Sequence, residues 1–206
     1  MSNIQNIIFD LGGVIYDIDY TKTTQAFVEL GANPQAVYYS QSNQTNIFNQ
    51  LECGEISSND FVLFLKKHLA DDVSQDAILE AWNAMLIGQP FYRIEMLISL
   101  KQKFKLVLLS NTNEIHINAI NQELENKFNT PNYNAFFDRV FLSHEIKMRK
   151  PHIETFQYVL NSMNLNPEET LFIDDSIQHI EGAKSAGICT FHHTKGDIVN
   201  VIQNII

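Results

Sequence analysis

The chain has 206 residues, 45% of them hydrophobic, with 14 Phe, 7 Tyr and one Trp. This composition supports a packed core, formed by one domain of ordinary size plus a sizeable insertion, and it excludes a disordered chain. The formal net charge of −10 argues against nucleic acid or an anionic membrane as a partner, and no apolar run approaches the roughly 20 residues of a membrane span.

The N-terminus and the cysteines bear on the compartment. No basic segment followed by an apolar core is visible at the N-terminus, so the sequence predicts no secretory signal. Cys53 and Cys189 are far apart, and their spacing does not indicate a metal site. We interpret both as free thiols, with a disulfide as the alternative, and expect a cytoplasmic protein.

The first element is a short apolar run, Ile7–Asp10, that ends in a carboxylate and leads into Gly12-Gly13. Apolar residues before a carboxylate predict a buried parallel strand, and the two glycines predict a sharp turn just past its end. Ligands of open α/β sheets bind outside the carboxyl ends of the strands, so Asp10 is a candidate for chemistry. The alternative is that Asp10 is only a turn or cap residue.

Residues 17–90 lack an alternating strand pattern and carry several helix signals instead. We therefore predict a helical insertion of roughly 70 residues that lies over the carboxyl end of the first strand. Its predicted helix starts are Asn33-Pro34, Ser57 or Ser58, and Ser74, and its predicted helix stops are Gly31, Gly54 and Gly88. Cys53–Ser57 is a turn between two of these helical patterns, and Glu52 or Glu55 is a candidate to face the pocket; the alternative is a helix stop followed by a cap.

The rest of the chain alternates apolar strand candidates with helical patterns, which is typical of βαβ units and a parallel sheet. The predicted strands are 106–109, 140–142, 171–173 and 188–191. The predicted helices carry Ile115 to Leu124, begin at Pro151, and run from about Ser176 to a stop at Gly187.

Two of these strand ends precede helices and suit an anion. Ser110 and Asn111 offer a hydroxyl and backbone N–H groups that fit a phosphate oxygen, or they merely cap the next helix. Arg149 and Lys150 directly precede Pro151, where cations are disfavoured unless an anion is also present. We assign Arg149 to a solvated basic turn and Lys150 to function.

A third strand end presents two adjacent carboxylates, Asp174 and Asp175. Such a pair resists burial unless a cation holds it, and one helix cap would explain only one of the two. Hard oxygen ligands of this kind suit Mg²⁺.

Four motifs therefore follow one another along the chain, namely Phe9–Val14, Leu109–Thr112, Arg149–Pro151 and Ile173–Ser176. In this order they make the chain resemble the haloacid dehalogenase superfamily, and they look closest to the branch that contains bacterial α-D-glucose-1-phosphate phosphatase. The resemblance spans nearly the whole chain. It implies an α/β fold with a Rossmann-like parallel core, residues 1–16 and 91–206, and a helical cap domain, residues 17–90, inserted after the first strand.

The resemblance also implies a magnesium site and a nucleophile. Asp10 would attack phosphorus and form an aspartyl-phosphate. Mg²⁺ would be held by Asp10, the backbone carbonyl of Gly12 and Asp175, with Asp174 acting directly or through water.

The remaining motif residues would handle the phosphoryl group. The resemblance implies that Ser110 and Lys150 stabilise the charge on the phosphoryl oxygens and act in catalysis and phosphate binding. Asn111 would shape the loop or touch the leaving group.

The chain departs from the family pattern at Gly12, where phosphatases of the superfamily usually carry a second Asp that protonates the leaving oxygen. Three consequences stay open. The substrate has a leaving group that needs little protonation, such as an anomeric sugar phosphate; Asp17, Asp19 or a cap residue supplies the proton; or the protein binds phosphoesters with little turnover.

We predict a Mg²⁺-dependent phosphatase of a small phosphorylated metabolite, with no nucleic-acid or membrane partner and with the oligomeric state left open. The enzymatic alternative is a metal-independent 2-haloacid dehalogenase, because these enzymes also lack the second Asp. The adjacent pair Asp174-Asp175 counts against that alternative.

Overall fold

The computed structural model describes residues 4–33 and 46–205. In chain order the described elements are β1 (Asn6–Phe9), β2 (Asp17–Ile18), α1 (Tyr20–Glu29), α2 (Asn46–Glu52), α3 (Ser58–Lys66), α4 (Gln75–Asn83), β3 (Leu86–Gly88), α5 (Phe91–Lys101), β4 (Lys105–Ser110), α6 (Glu114–Phe128), β5 (Arg139–Leu142), α7 (Ser143–Ile146), α8 (Ile153–Met163), β6 (Thr170–Asp174), α9 (Ile177–Ser185), β7 (Cys189–His192) and α10 (Ile198–Ile202). Two short 3-10 helices cover Tyr133–Ala135 and Pro167–Glu169. Within these residues, no helix combines the length and the apolar character needed to cross a bilayer.

The main sheet has five parallel strands in the order β5-β4-β1-β6-β7. This is the doubly wound order in which the chain moves outward from β1 to one edge and then returns to build the other. All five strands predicted from the sequence are confirmed. Strand β1 is central, with β4 and β6 as its neighbours, so the carboxyl ends of these three strands meet at the topological switch point.

Alternate residues of the central strands feed two apolar layers. Ile7 and Phe9 pack in one cluster with residues of α5, α6 and α10. Ile8 packs in a second cluster on the other side, with Phe156 of α8 and Ile180 of α9. Helices therefore cover both faces, which explains why the strands are apolar throughout instead of alternating.

Helices α1 to α4 share an apolar cluster of their own. Phe48 stacks on Trp82 with ring centroids 5.4 Å apart, and Phe61 packs against both rings. Ile115 of α6 joins this cluster and so links it to the rest of the chain. The predicted caps at Ser57 and Ser74 hold, since each side chain accepts a backbone N–H of the first turn.

Two features of the inserted segment differ from prediction. Strands β2 and β3 pair antiparallel, with Asp17 opposite Gly88, so Gly88 ends a strand and the predicted helix stop there is wrong. Helix α4 already ends at Asn83. The predicted helix start at Asn33-Pro34 lies outside the described residues. The division into core and cap at residues 17 and 90 stays a prediction. The β2–β3 pair brings the two ends of the predicted insertion together.

The helix that follows Lys150 also begins later than predicted. It starts at Ile153, with His152 as its N-cap residue, whereas Pro151 was predicted as its first residue. The reason is a turn in which the His152 N–H donates to the Arg149 carbonyl at 3.2 Å, and the Thr155 hydroxyl donates to the same carbonyl at 2.8 Å. This turn presents Lys150 to the sheet.

Candidate active site

Three polar side chains occupy the carboxyl ends of the three central strands. Asp10 directly follows β1, Ser110 ends β4 and Asp174 ends β6. All three are at most 5% exposed, although each stands at the end of its strand. A buried cluster of this kind requires compensating partners, because an isolated buried charge is costly.

Lys150 supplies the main compensation. Its ammonium group is fully buried and lies 2.8 Å from Asp10 Oδ1 and 2.7 Å from Asp174 Oδ2. Burial by itself lowers the pKa of Lys150, but the two carboxylates outweigh burial and raise it above its ordinary value. Lys150 is therefore a permanent cation between the two strand ends.

Asp174 is saturated with donors. One of its oxygens accepts the Ser176 N–H at 2.7 Å, the other accepts Lys150, and His179 Nδ1 lies 2.9–3.0 Å from both. Burial alone raises the pKa of Asp174, but the Lys150 ammonium and the His179 contact hold it well below its usual range.

Asp10 is in the opposite situation. Burial and the negative charge of Asp174 raise the pKa of Asp10 well above its usual range, with a smaller contribution from Asp175 and an opposing one from Lys150. Its Oδ1 also accepts the Leu11 N–H at 2.7 Å. Asp10 is thus subject to the charges of two other carboxylates, Asp174 and Asp175, and of one ammonium, that of Lys150.

The glycine turn after β1 holds the third carboxylate. Gly13 has φ +73°, and a Cβ added there would lie 2.3 Å from Asp175 Oδ2. Asp175 therefore packs directly on the turn that carries the Gly12 carbonyl, a cradle that any side chain at position 13 would fill. The oxygen-rich donor set and the net charge of −2 for Asp10, Asp174, Asp175 and Lys150 fit a hard dication such as Mg²⁺.

Asp10, Asp174 and His179 also approach one another, with one ligand atom from each within 4.8 Å. This second grouping fits Mg²⁺ less well. Asp174 and His179 already bind each other, Lys150 lies between the two carboxylates, and imidazole suits softer metals. We regard it as the hydrogen-bond network that orients Asp174.

Asn111 holds the backbone of Lys150 from both sides. Its Oδ1 accepts the Lys150 N–H at 2.9 Å, and its Nδ2 donates to the Lys150 carbonyl at 2.9 Å. Of the two roles expected for Asn111, this contact favours shaping of the loop, because both ends of the amide are occupied.

A cavity of about 60 Å³ adjoins Asp10. The core contributes the ends of β1 and β4 and Arg149, and the segment between β1 and α5 contributes Ile18, Tyr20, Glu52 and Met85. Burial, Asp175 and Asp10 raise the pKa of Tyr20, so its phenol keeps its proton and remains a hydrogen-bond donor.

Arg149 corrects the sequence interpretation. It was predicted as part of a solvated basic turn, but its side chain is only 14% exposed and its guanidinium lies 3.0 Å from Glu52 Oε2. It also donates to the side chain of Asn49. The idea that Glu52 faces the pocket is thus supported, whereas Glu55 is exposed.

Asp17 and Asp19, the sequence candidates for a proton donor, do not line this cavity. Asp17 pairs with Arg93 at 2.7 Å, and Asp19 accepts the Thr21 N–H as the N-cap of α1. Both contacts are structural.

Comparisons with known proteins show the family to which the chain belongs. Residues 4–187 match the family model of haloacid dehalogenase-like hydrolases. The chain belongs to this family. It is 31% identical to the D-ribitol-5-phosphate phosphatase of Bacteroides thetaiotaomicron over 198 residues, which cover 94% of this chain and 93% of that protein.

Solved structures of the haloacid dehalogenase-like family superpose on nearly the whole chain. A family enzyme from Bacteroides thetaiotaomicron matches with a TM-score of 0.87 at 30% identity, covering 98% of both chains. The wild-type enzyme in complex with magnesium and inorganic phosphate matches with a TM-score of 0.81 at 32% identity, covering 94% of this chain and 96% of that one.

The sequence correctly placed Asp10, Ser110 and Asp174 at strand ends, but it did not single out His179 and Tyr20, which lie beside them. His179 lies in the first turn of α9, five residues after Asp174, so a histidine at the start of the helix that follows the Asp174-Asp175 pair was a usable signal. Tyr20 reaches the cavity from the first residue of α1, and no local pattern marks it.

Proposed function

We propose that the chain is a Mg²⁺-dependent phosphatase of a small phosphorylated metabolite. The observation that carries the proposal is the buried Lys150 bridge between Asp10 and Asp174 at the switch point of the sheet. A carboxylate held beside a permanent cation suits attack on a phosphoryl group, whose negative charge must be neutralised. The phosphatase relative and the magnesium-phosphate complex of a structural neighbour support it.

Asp10 is the proposed nucleophile. One carboxylate oxygen contacts the Lys150 ammonium and the Leu11 N–H, which orients the group while the other oxygen attacks phosphorus. The phosphorus–oxygen bond to the alcohol breaks, and an aspartyl-phosphate forms; water then hydrolyses it. Lys150 and the Ser110 hydroxyl stabilise the transferring phosphoryl oxygens.

Asp10, the Gly12 carbonyl and Asp175 are the proposed magnesium ligands, with Asp174 in support. When bound, the ion would neutralise the excess carboxylate charge and polarise the phosphoryl group. Contacts with His179 and Lys150 hold the Asp174 carboxylate in a fixed orientation beside this site.

The test measures phosphate release from a panel that includes a polyol phosphate, an anomeric sugar phosphate and an acyl phosphate, with Mg²⁺ or EDTA. We expect Mg²⁺-dependent release that falls at least about 10³-fold in Asp10→Asn. Asp19→Asn is the matched control, because the Asp19 side chain caps α1 and is not among the side chains that line the cavity. Halide release from 2-haloacids without Mg²⁺, or protection by phosphoesters without turnover, would contradict the proposal.

The panel also decides between leaving groups. Gly12 has no side chain to protonate the leaving oxygen, so a preference for anomeric or acyl phosphates would indicate that the substrate itself supplies a good leaving group. Equal or faster turnover of a polyol phosphate would refute the hypothesis that the substrate supplies a good leaving group. The proton would then come from another group in the cavity or from water.

A further inference from the structure

One buried ion pair joins the inserted segment to the core at the wall of the cavity. Glu52 ends α2 and is 2% exposed, and Arg149 belongs to the turn that presents Lys150. Their charged groups are 3.0 Å apart, and both residues line the same cavity as Asp10. The pair is thus built from two distant parts of the chain at one place.

Stability gives little reason for such a pair. Removing two charges from water costs about as much as their attraction returns, and apolar residues of similar size serve equally well in many proteins. Apolar side chains could have formed this wall instead, since the preceding residue of the same helix, Leu51, is buried in an apolar cluster. We therefore expect Glu52 and Arg149 to contact the ligand that enters the cavity.

The position of the pair defines which part of a ligand it meets. Arg149 is the residue before Lys150, whose ammonium contacts Asp10. A phosphoryl group at Asp10 would bring its leaving group against the other side chains that line the same cavity, among them Glu52, Arg149 and Tyr20. The cavity of about 60 Å³ has room for a few water molecules, so an organic group must contact this wall closely.

We infer that the Glu52–Arg149 pair is a specificity-determining element that selects a polyhydroxylated leaving group, an inference that rests on the proposed phosphatase function. A carboxylate accepts hydrogen bonds from hydroxyl groups, and a guanidinium donates to hydroxyl oxygens, so neighbouring hydroxyls satisfy both partners. An alkyl chain in the same place would displace water from both charged groups and would form no hydrogen bonds with them in exchange.

The experiment compares two esters of equal chain length, ribitol 5-phosphate and n-pentyl phosphate, by their kcat/KM values in the full chain with Mg²⁺. We expect wild type to prefer the polyol ester by at least about 10²-fold. Glu52→Gln should reduce that ratio by about 10–100-fold, because its amide no longer accepts as a charged group. Glu55→Gln, three residues away and exposed, is the matched control and should keep the ratio.

The ratio separates selection from mere support of the fold. If the pair only latched the inserted segment onto the core, Glu52→Gln would lower both kcat/KM values together and leave the ratio unchanged, which overturns the inference. Inhibition by inorganic phosphate, which has no leaving group, reports whether the site of the variant is intact. If Glu52→Gln loses phosphate binding, Arg149→Lys provides the same comparison with the positive charge kept.

Failure of the proposed function gives a different result. If wild type releases phosphate neither from these two esters nor from the anomeric and acyl phosphates of the panel, the phosphatase proposal fails and this inference with it; release from the anomeric or acyl phosphates alone refutes this inference and leaves the phosphatase proposal standing. Release from both esters at an equal rate by wild type refutes the inference and leaves the phosphatase proposal standing.

Discussion

His116 is expected to make the protein lose stability in mild acid. It is buried, stacks on Trp82 with ring centroids 4.6 Å apart, and lies 3.2 Å from the Trp82 carbonyl through Nε2. Its Nδ1 lies 3.1 Å from Asn113 Nδ2. Since a carbonyl only accepts, Nε2 carries the proton and Nδ1 is the acceptor.

The Asn113 amide cannot turn to accommodate a second proton on His116. Its Oδ1 already accepts the His116 N–H at 3.1 Å, as the N-cap of α6, and the Trp82 indole N–H at 3.4 Å. Protonating Nδ1 would set one N–H against another. Burial is the main reason that the pKa of His116 falls from 6.5 to about 4.

The direction and size of the change in stability follow from the difference between the pKa values of His116 in the folded and unfolded chain. Below pH 6.5 the unfolded chain gains a proton at His116 while the folded chain does not, so stability is complete above that pH and declines as the pH falls toward 4. The full difference corresponds to about 3 kcal/mol, of which about 2 kcal/mol is lost between pH 7.5 and pH 5.

Urea unfolding at pH 7.5 and pH 5 measures this loss. His116→Gln keeps a donor and an acceptor but does not titrate, so its free energy of unfolding should fall by about 2 kcal/mol less than that of wild type over this interval. His152→Gln changes an exposed histidine and should retain the wild-type difference. An equal decline in wild type and His116→Gln would refute the assignment.

Two further substitutions test contacts around Lys150. Asn111→Ala removes both amide contacts to the Lys150 backbone and should lower kcat about 10-fold or more with little change in the unfolding midpoint, which steady-state kinetics and thermal melts would check. Gly182→Ala should destabilise by about 1–3 kcal/mol despite the better helix propensity of Ala, because its Cβ would lie 2.2 Å from the Pro151 carbonyl oxygen; a raised melting temperature would contradict this.

The sequence alone was sufficient to predict the side chains that lie at the ends of strands. A short apolar run that ends in a polar residue has few other structures open to it, so Asp10, Ser110 and Asp174 could each be placed at a strand end from local pattern alone. Parallel pairing then brings these ends together without further information, because the carboxyl ends of neighbouring parallel strands share one edge.

Contacts across the chain were beyond local pattern. Arg149 was misassigned because its partner Glu52 is about a hundred residues away, and a basic residue in a turn has the same local signature whether it is solvated or paired. The β2–β3 pair was missed for a related reason: two short strands, of two and three residues, have too few positions to show alternation. Both contacts concern how the inserted segment meets the core.

The space beside Gly12 adds a physical reason for the departure from the family pattern. A Cβ added at Gly12 would lie 3.0 Å from Ile18 Cδ1, so a side chain at position 12 would require Ile18 to shift by a few tenths of an ångström. Ile18 lines the same cavity, is half-buried and packs against the main apolar cluster, so such a shift would disturb that packing. Beside Gly12 the cavity is therefore lined by an apolar side chain, and among the described residues of the inserted segment Glu52 and Tyr20 are the polar ones that line it. If Glu52 and Arg149 select hydroxyl groups as we infer, the cavity would hold a leaving group by contacts along its wall and not through an acid at position 12.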